Sequence, residues 1–193
     1  MPTSYQKAPN AIHAMVEKAM EQYHPELVAA HVTIDTVIVD RFDKDEQSIR
    51  ALKRSGYPID AKIGVTSLQD RARGIADAKL MIDGLEWNKA TDRQRVALID
   101  HELEHLDLIP LKPTKKEPNR SGPKYDDLGR PCLRIRPHDW QLAGFKDVAE
   151  RLLTSLRLLQ SAPPDDLIAT CYDIAGAPKP RRVDEEDGDG EAR

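Results

Sequence analysis

A chain of 193 residues, 39% hydrophobic and 32% charged, can form one domain with a real core, and this balance excludes a disordered or membrane-embedded polymer. A formal net charge of -4 excludes a general attraction to nucleic acid. Cys132 and Cys171 stand far apart without a CxxC partner, which excludes a disulfide framework and a four-thiolate zinc ribbon and points to a reducing compartment.

Residues 1–9 read as a flexible N-terminus. Their start, Met1-Pro2-Thr3-Ser4, lacks the charged and apolar regions of a secretory signal, and no stretch approaches the length of a membrane span. The expectation is a cytoplasmic protein with no membrane partner. From Asn10 to Tyr23, the apolar residues Ile12, Met15, Val16, Ala19 and Met20 recur every three or four positions and predict an amphipathic helix that Pro25 closes. Val32 to Phe42 is rich in β-branched residues and predicts a strand. Residues 43–60 turn charged, with Gly56 and Pro58 as breakers, and read as a surface excursion with room for a helical turn or two.

Ala61 to Leu68 and Asp77 to Trp87 predict two further strands, separated by Arg71-Ala72-Arg73-Gly74. A helix follows Asn88, opened by a capping box of Thr91 and Gln94 and ended by Pro110. Residues 112–129 lack periodicity and form a long loop; its basic residues Lys112, Lys115, Lys116 and Arg120 read as a solvated stretch. Leu133 to Arg136 suggests a short strand. Leu142, Phe145, Val148, Leu152, Leu156 and Leu159 predict a second long helix over Asp139–Gln160, stopped by Pro163-Pro164. Residues 10–162 are thus expected as one domain, 163–177 as an extension, and 178–193 as a disordered acidic tail too poor in apolar residues to offset the entropy of ordering.

Within the capped helix lies His101-Glu102-Leu103-Glu104-His105, an HExxH motif. Positions i and i+4 project from one helix face a turn apart, so two imidazoles can grip one ion while the intervening glutamate reaches the same place as a general base. Val96, Ile99, Leu103 and Leu106 lie nearly opposite the histidines, and Leu98 and Leu108 make the histidine side partly apolar too. A buried histidine pair satisfied by hydrogen bonds is the plain alternative. Zinc takes imidazole nitrogen in four-coordinate sites and keeps one position open when the protein supplies three ligands, so a third ligand must come from elsewhere. His138 is the only histidine downstream, with Asp139 and then Glu150 as substitutes; Asp139 also suits a helix cap. His13, His24 and His31 read as surface or packing residues, and Glu104 and Asp107 as solvent-facing or as hydrogen-bond partners of ligands.

The segment Val96 to Leu106, with an earlier strand and a later His-Asp pair, resembles the phage metallopeptidase family, which is similar to the SprT-like minimal zincins. The resemblance implies a phage or prophage origin, hence the host cytoplasm, and zinc-dependent hydrolysis of a peptide or protein. The absence of the four-cysteine ribbon removes the basis for a DNA-linked role. The fold expected is α+β: a minimal zincin-like domain with a small twisted mixed sheet, the HExxH helix and a C-terminal helix. By the same resemblance, the last strand before the motif helix binds an extended peptide, placing Lys79, Leu80, Met81, Ile82 and Asp83 along the substrate. Tyr125 is the candidate oxyanion donor. Two other readings keep the same site: a zinc amidase or deacetylase acting on a non-peptide bond, and a metal-stabilised binding protein without turnover.

Overall fold

The computed structural model describes residues 2–54, 56–113, 115, 119–138 and 151. The long helix expected over Asp139–Gln160, the extension and the acidic tail lie outside the described residues, apart from Arg151, which is helical.

The elements run β1 (Thr3–Lys7), α1 (Asn10–Tyr23), α2 (Pro25–Ala29), β2 (Ile34–Phe42), β3 (Ser48–Ile49), β4 (Lys53–Arg54), β5 (Tyr57–Pro58), β6 (Ala61–Val65), α3 (Leu68–Ala72), β7 (Ala78–Asp83), α4 (Gly84–Lys89), α5 (Asp92–Glu104), β8 (Leu106–Leu108) and β9 (Leu133–Ile135). The main sheet is mixed, in the order β1-β2-β7-β6, with β3 also paired to β2. β2 and β7 run parallel, whereas the pairings of β1 with β2 and of β6 with β7 are antiparallel. A parallel pair needs a long return connection, and residues 43–77 supply it.

Three expectations change here. The first residues are not a loose end: Thr3–Lys7 pair with Arg41–Val37 as an edge strand. The strand expected to run on to Trp87 ends at Asp83, whose side chain accepts the Glu86 amide and caps α4. Trp87 is therefore a buried helical residue, and its carbonyl accepts from Arg95 of α5. Gly84 opens that helix because a Cβ there would collide with Asp40. The excursion at 43–60 carries β3, β4 and β5 rather than helical turns.

The core lies between one sheet face and α1 and α5. Ile12, Val16, Ala19 and Met20 of α1 meet Ala78, Leu80 and Ile82 of β7 and Ile99 and Leu103 of α5, all buried. Spacings of four, three and one on α1 and alternation on β7 are the helical and strand periodicities that one apolar interface demands. Burying each large aliphatic side chain stabilises the fold by roughly 1.5–3 kcal/mol. Among the described residues, no helix is long and apolar enough to cross a membrane.

Candidate metal centre

α5 is fixed at its start by the capping box foreseen in Thr91 and Gln94, with both reciprocal bonds present. It stops sooner than Pro110: Glu104 is its last residue and His105 is the C-cap, still with right-handed helical dihedrals. That last turn is enough to stack His101 and His105 on one face, with ring centroids 5.3 Å apart.

The chain then leaves as β8 and returns as β9, with Leu106 opposite Ile135. The ladder continues one step past both strands, as the Arg136 amide donates to the His105 carbonyl at 2.7 Å. Pro137 has no amide to continue it. The next residue is His138, whose ring lies 4.6 Å from His105 and 5.1 Å from His101, centroid to centroid.

The three histidines each offer a ring nitrogen, all within 4.8 Å of one another. Nε2 of His101 and Nε2 of His138 are 3.1 Å apart. Two nitrogens bound at about 2.0–2.1 Å around a tetrahedral ion would sit roughly 3.3 Å apart, so the donor set fits a single divalent ion. His105 Nδ1 lies 2.8 Å from the Arg136 carbonyl, which as an acceptor holds the proton on Nδ1 and leaves Nε2 for the metal.

Electrostatics favour the metal-binding form. Burial, reinforced by His105 and His138, lowers the His101 pKa to about 3, against an opposing pull from Asp100. Burial also lowers that of His105. Neutral imidazole is the form that coordinates. Glu102 lines the same cavity, of about 460 Å³, and burial pushes its carboxyl up to about 7 against the Ile63 amide and the Arg54 charge.

β6 forms the cavity's other wall, through Ala61, Lys62 and Ile63. It is the last strand of its sheet. The Thr66 amide donates to Asp77 and the Asp83 amide to Asp60, so the even-numbered residues between them face β7, and the amides of Ala61, Ile63 and Val65 face outward. The Ile63 amide meets Glu102.

This geometry corrects two expectations. Lys79, Leu80, Met81, Ile82 and Asp83 belong to β7, which is hydrogen-bonded to β2 on one side and β6 on the other, so it has no edge to offer a peptide. Leu80, Ile82 and Asp83 are buried, and the Asp83 carboxylate instead accepts the amides of Ala51 and Leu52, which lead into β4. Tyr125 lines a different cavity, with Thr33, Asp77 and Arg130.

A second group, His24, Asp100 and Glu104, also gathers metal-type donors. Guanidinium ions already neutralise it: Arg151 grips Asp100 at 2.7 and 3.0 Å and Glu104 at 3.0 Å, and Arg136 donates to Glu104 at 2.6 Å. His24 is buried and lies 2.9 Å from Asp100, not a surface residue. Asp107 pairs with Arg134. Asp139 and Glu150, the substitutes for the third ligand, lie outside the described residues.

Residues 3–163 match the model of the family described as "Putative phage metallopeptidase". The chain belongs to this family. No curated protein and no solved structure matches it. Membership in a metallopeptidase family implies a metal ion, and the three histidines of this phage metallopeptidase family member are a fitting set of ligands for one.

Proposed function

We propose that the chain is a zinc-dependent metallopeptidase, phage- or prophage-encoded and acting on peptide or protein in the host cytoplasm. One observation carries the reading: three imidazoles converge within reach of a single ion, and Glu102 and the outer edge of β6 border the same cavity. Three nitrogen donors favour zinc over the oxygen-seeking calcium and magnesium. A bound zinc ion supplies Lewis acidity and makes water a better nucleophile near neutral pH.

The rest falls to the chain's own residues. An extended peptide adds to β6, where the outward backbone groups of Ala61 and Val65 hold it by strand addition. Glu102, steadied by the Ile63 amide, takes a proton from the attacking water and passes it to the departing amine. Burial raises the proton affinity of this carboxyl above that of a solvated glutamate, which suits a group that must take up a proton and give it back. Leu98 and Ile135 add apolar lining to the cavity.

The purified chain is expected to bind about one zinc ion, to lose it when His101 or His105 becomes alanine, and to cleave peptides only when loaded. Metal analysis and a peptide panel, beside acetylated amides, check this. Turnover confined to the acetylated compounds would make the enzyme a deacetylase.

A further inference from the structure

The cavity that holds the histidines carries three cations, Lys53, Arg54 and Lys62. Its carboxylates do not balance them. Asp60 is paired with Arg50, and Glu102 is buried against the Ile63 amide. Arg50, Arg71, Arg73, Arg95, Arg130, Arg134, Arg136 and Arg151 each sit on a carboxylate. Lys53, Arg54 and Lys62 have no such partner among the described residues, and Arg54 is exposed. A chain of net charge -4 has acidic residues to spare, yet the two that line this cavity, Asp60 and Glu102, are already engaged by Arg50 and by the Ile63 amide.

Their positions relative to the reacting groups are specific. Arg54 acts electrostatically on both Glu102 and His105, so its charge is felt at the site's centre. Lys62 lines the same cavity from β6, next in the chain to Ile63, the residue whose amide meets Glu102. Lys53 adjoins Arg54 on β4, a strand tied in place through Leu52, whose amide donates to buried Asp83 and whose carbonyl accepts the Ile59 amide.

We infer that the substrates of this site are peptides bearing an acidic side chain within about two residues of the scissile bond, received by Arg54 and Lys62 with Lys53 at the rim. The inference rests on the metallopeptidase reading and names its substrate class. Cations beside an active-site cleft raise the local concentration of the opposite charge, and a guanidinium donates two parallel hydrogen bonds to a carboxylate in bidentate fashion.

The test uses the full zinc-loaded chain and a set of fluorogenic peptides in which each position flanking the cleaved bond is in turn Glu, Gln or Lys. At one or more of these positions the order of kcat/KM is expected to be Glu, then Gln, then Lys, with about a tenfold gap between Glu and Gln carried mainly by KM. The gap should narrow as salt rises from about 0.01 M to about 0.1 M, where the screening length falls from about 30 to about 10 Å. Arg54→Glu and Lys62→Glu, made separately, should reverse the order toward Lys, and Lys62→Glu keeps the test open if Arg54→Glu does not fold. Equal rates for the three residues at every position, with cleavage still chelator-sensitive, would overturn the inference and leave the peptidase standing. No chelator-sensitive cleavage of any peptide would overturn the peptidase reading itself.

Discussion

Glu102 and His101 are neighbours in sequence, and burial moves their proton affinities in opposite directions. A carboxyl raised from 4.5 to about 7 keeps a proton in the folded chain that the unfolded chain has released. It therefore costs stability increasingly as pH climbs through that window. An imidazole lowered from 6.5 to about 3 refuses a proton that the unfolded chain accepts. Its stability is complete above pH 6.5 and is lost as pH falls toward 3. In the metal-free protein the two trends oppose each other between pH 4.5 and 6.5, and Glu102→Gln removes only the first. That variant should melt above the parent in chelator at pH 8, by on the order of 2 kcal/mol, and the gap should close near pH 4.5. Loaded with metal, it should lose roughly 10²- to 10⁴-fold in turnover. Melting curves across pH decide: a variant less stable at pH 8 would mean that the carboxylate is not held in a desolvated place. At this scale the sequence was informative where the chemistry is local. Five consecutive residues in helical spacing name His101, Glu102 and His105. Arg54 and Asp100 gave no such signal, because what makes them matter lies tens of residues away.

The element that completes the site is the short ladder of β8 and β9, extended by one pair so that Arg136 faces His105 through both its amide and its carbonyl. Glu104 holds the same residue by its side chain, receiving Arg136 at 2.6 Å and Arg151 at 3.0 Å. One carboxylate thus braces the strand end from which His138 projects. Glu104→Ala should lower metal affinity by about 10- to 100-fold, as measured by competition with a chromogenic chelator, because it removes the carboxylate that links Arg136 to α5. Glu104→Gln should recover part of the affinity. A folded Glu104→Ala protein with unaltered affinity would show that the backbone ladder suffices. The elements foreseen from sequence were α1, β2, β6, β7, α5 and β9, although β6, β7 and α5 were each drawn past their ends. β1 was hidden because Thr3–Lys7 is mostly exposed and shows no apolar alternation. The helix α4 had a readable cap in Asp83 and Glu86, but the apolar run through Trp87 outweighed it. The peptide wall was assigned to β7 as the strand nearest the motif helix in sequence. Sheet order is non-local, and it made β6 the edge.

Across the whole molecule, two ionic ties hold distant segments onto the core. Asp77 is buried among Thr33, Arg71 and Arg130, whose hydrogen bonds outweigh burial and lower its pKa; they fasten the return of the long loop to the start of β7. Asp100 and Glu104 fasten Arg151 to α5. A metal ion would be the third tie, joining His101 to His138, which lie 37 residues apart in the chain. In the unfolded chain, bringing these two together costs loop-closure entropy, so the ion binds the folded state more tightly and stabilises it by mass action. With free metal at about a thousandfold over Kd, that stabilisation is about 4 kcal/mol. For a protein of this size each kcal/mol moves Tm by about 2–4 °C, so a chelator should lower Tm by on the order of 10 °C. His138→Ala leaves the pair on α5 but removes the long-range closure, so its metal-dependent shift should fall below about half that of the parent. An equal shift in the two proteins would assign the third ligand to another residue, and with it the reason the strand end beyond Arg136 is braced so closely against the helix.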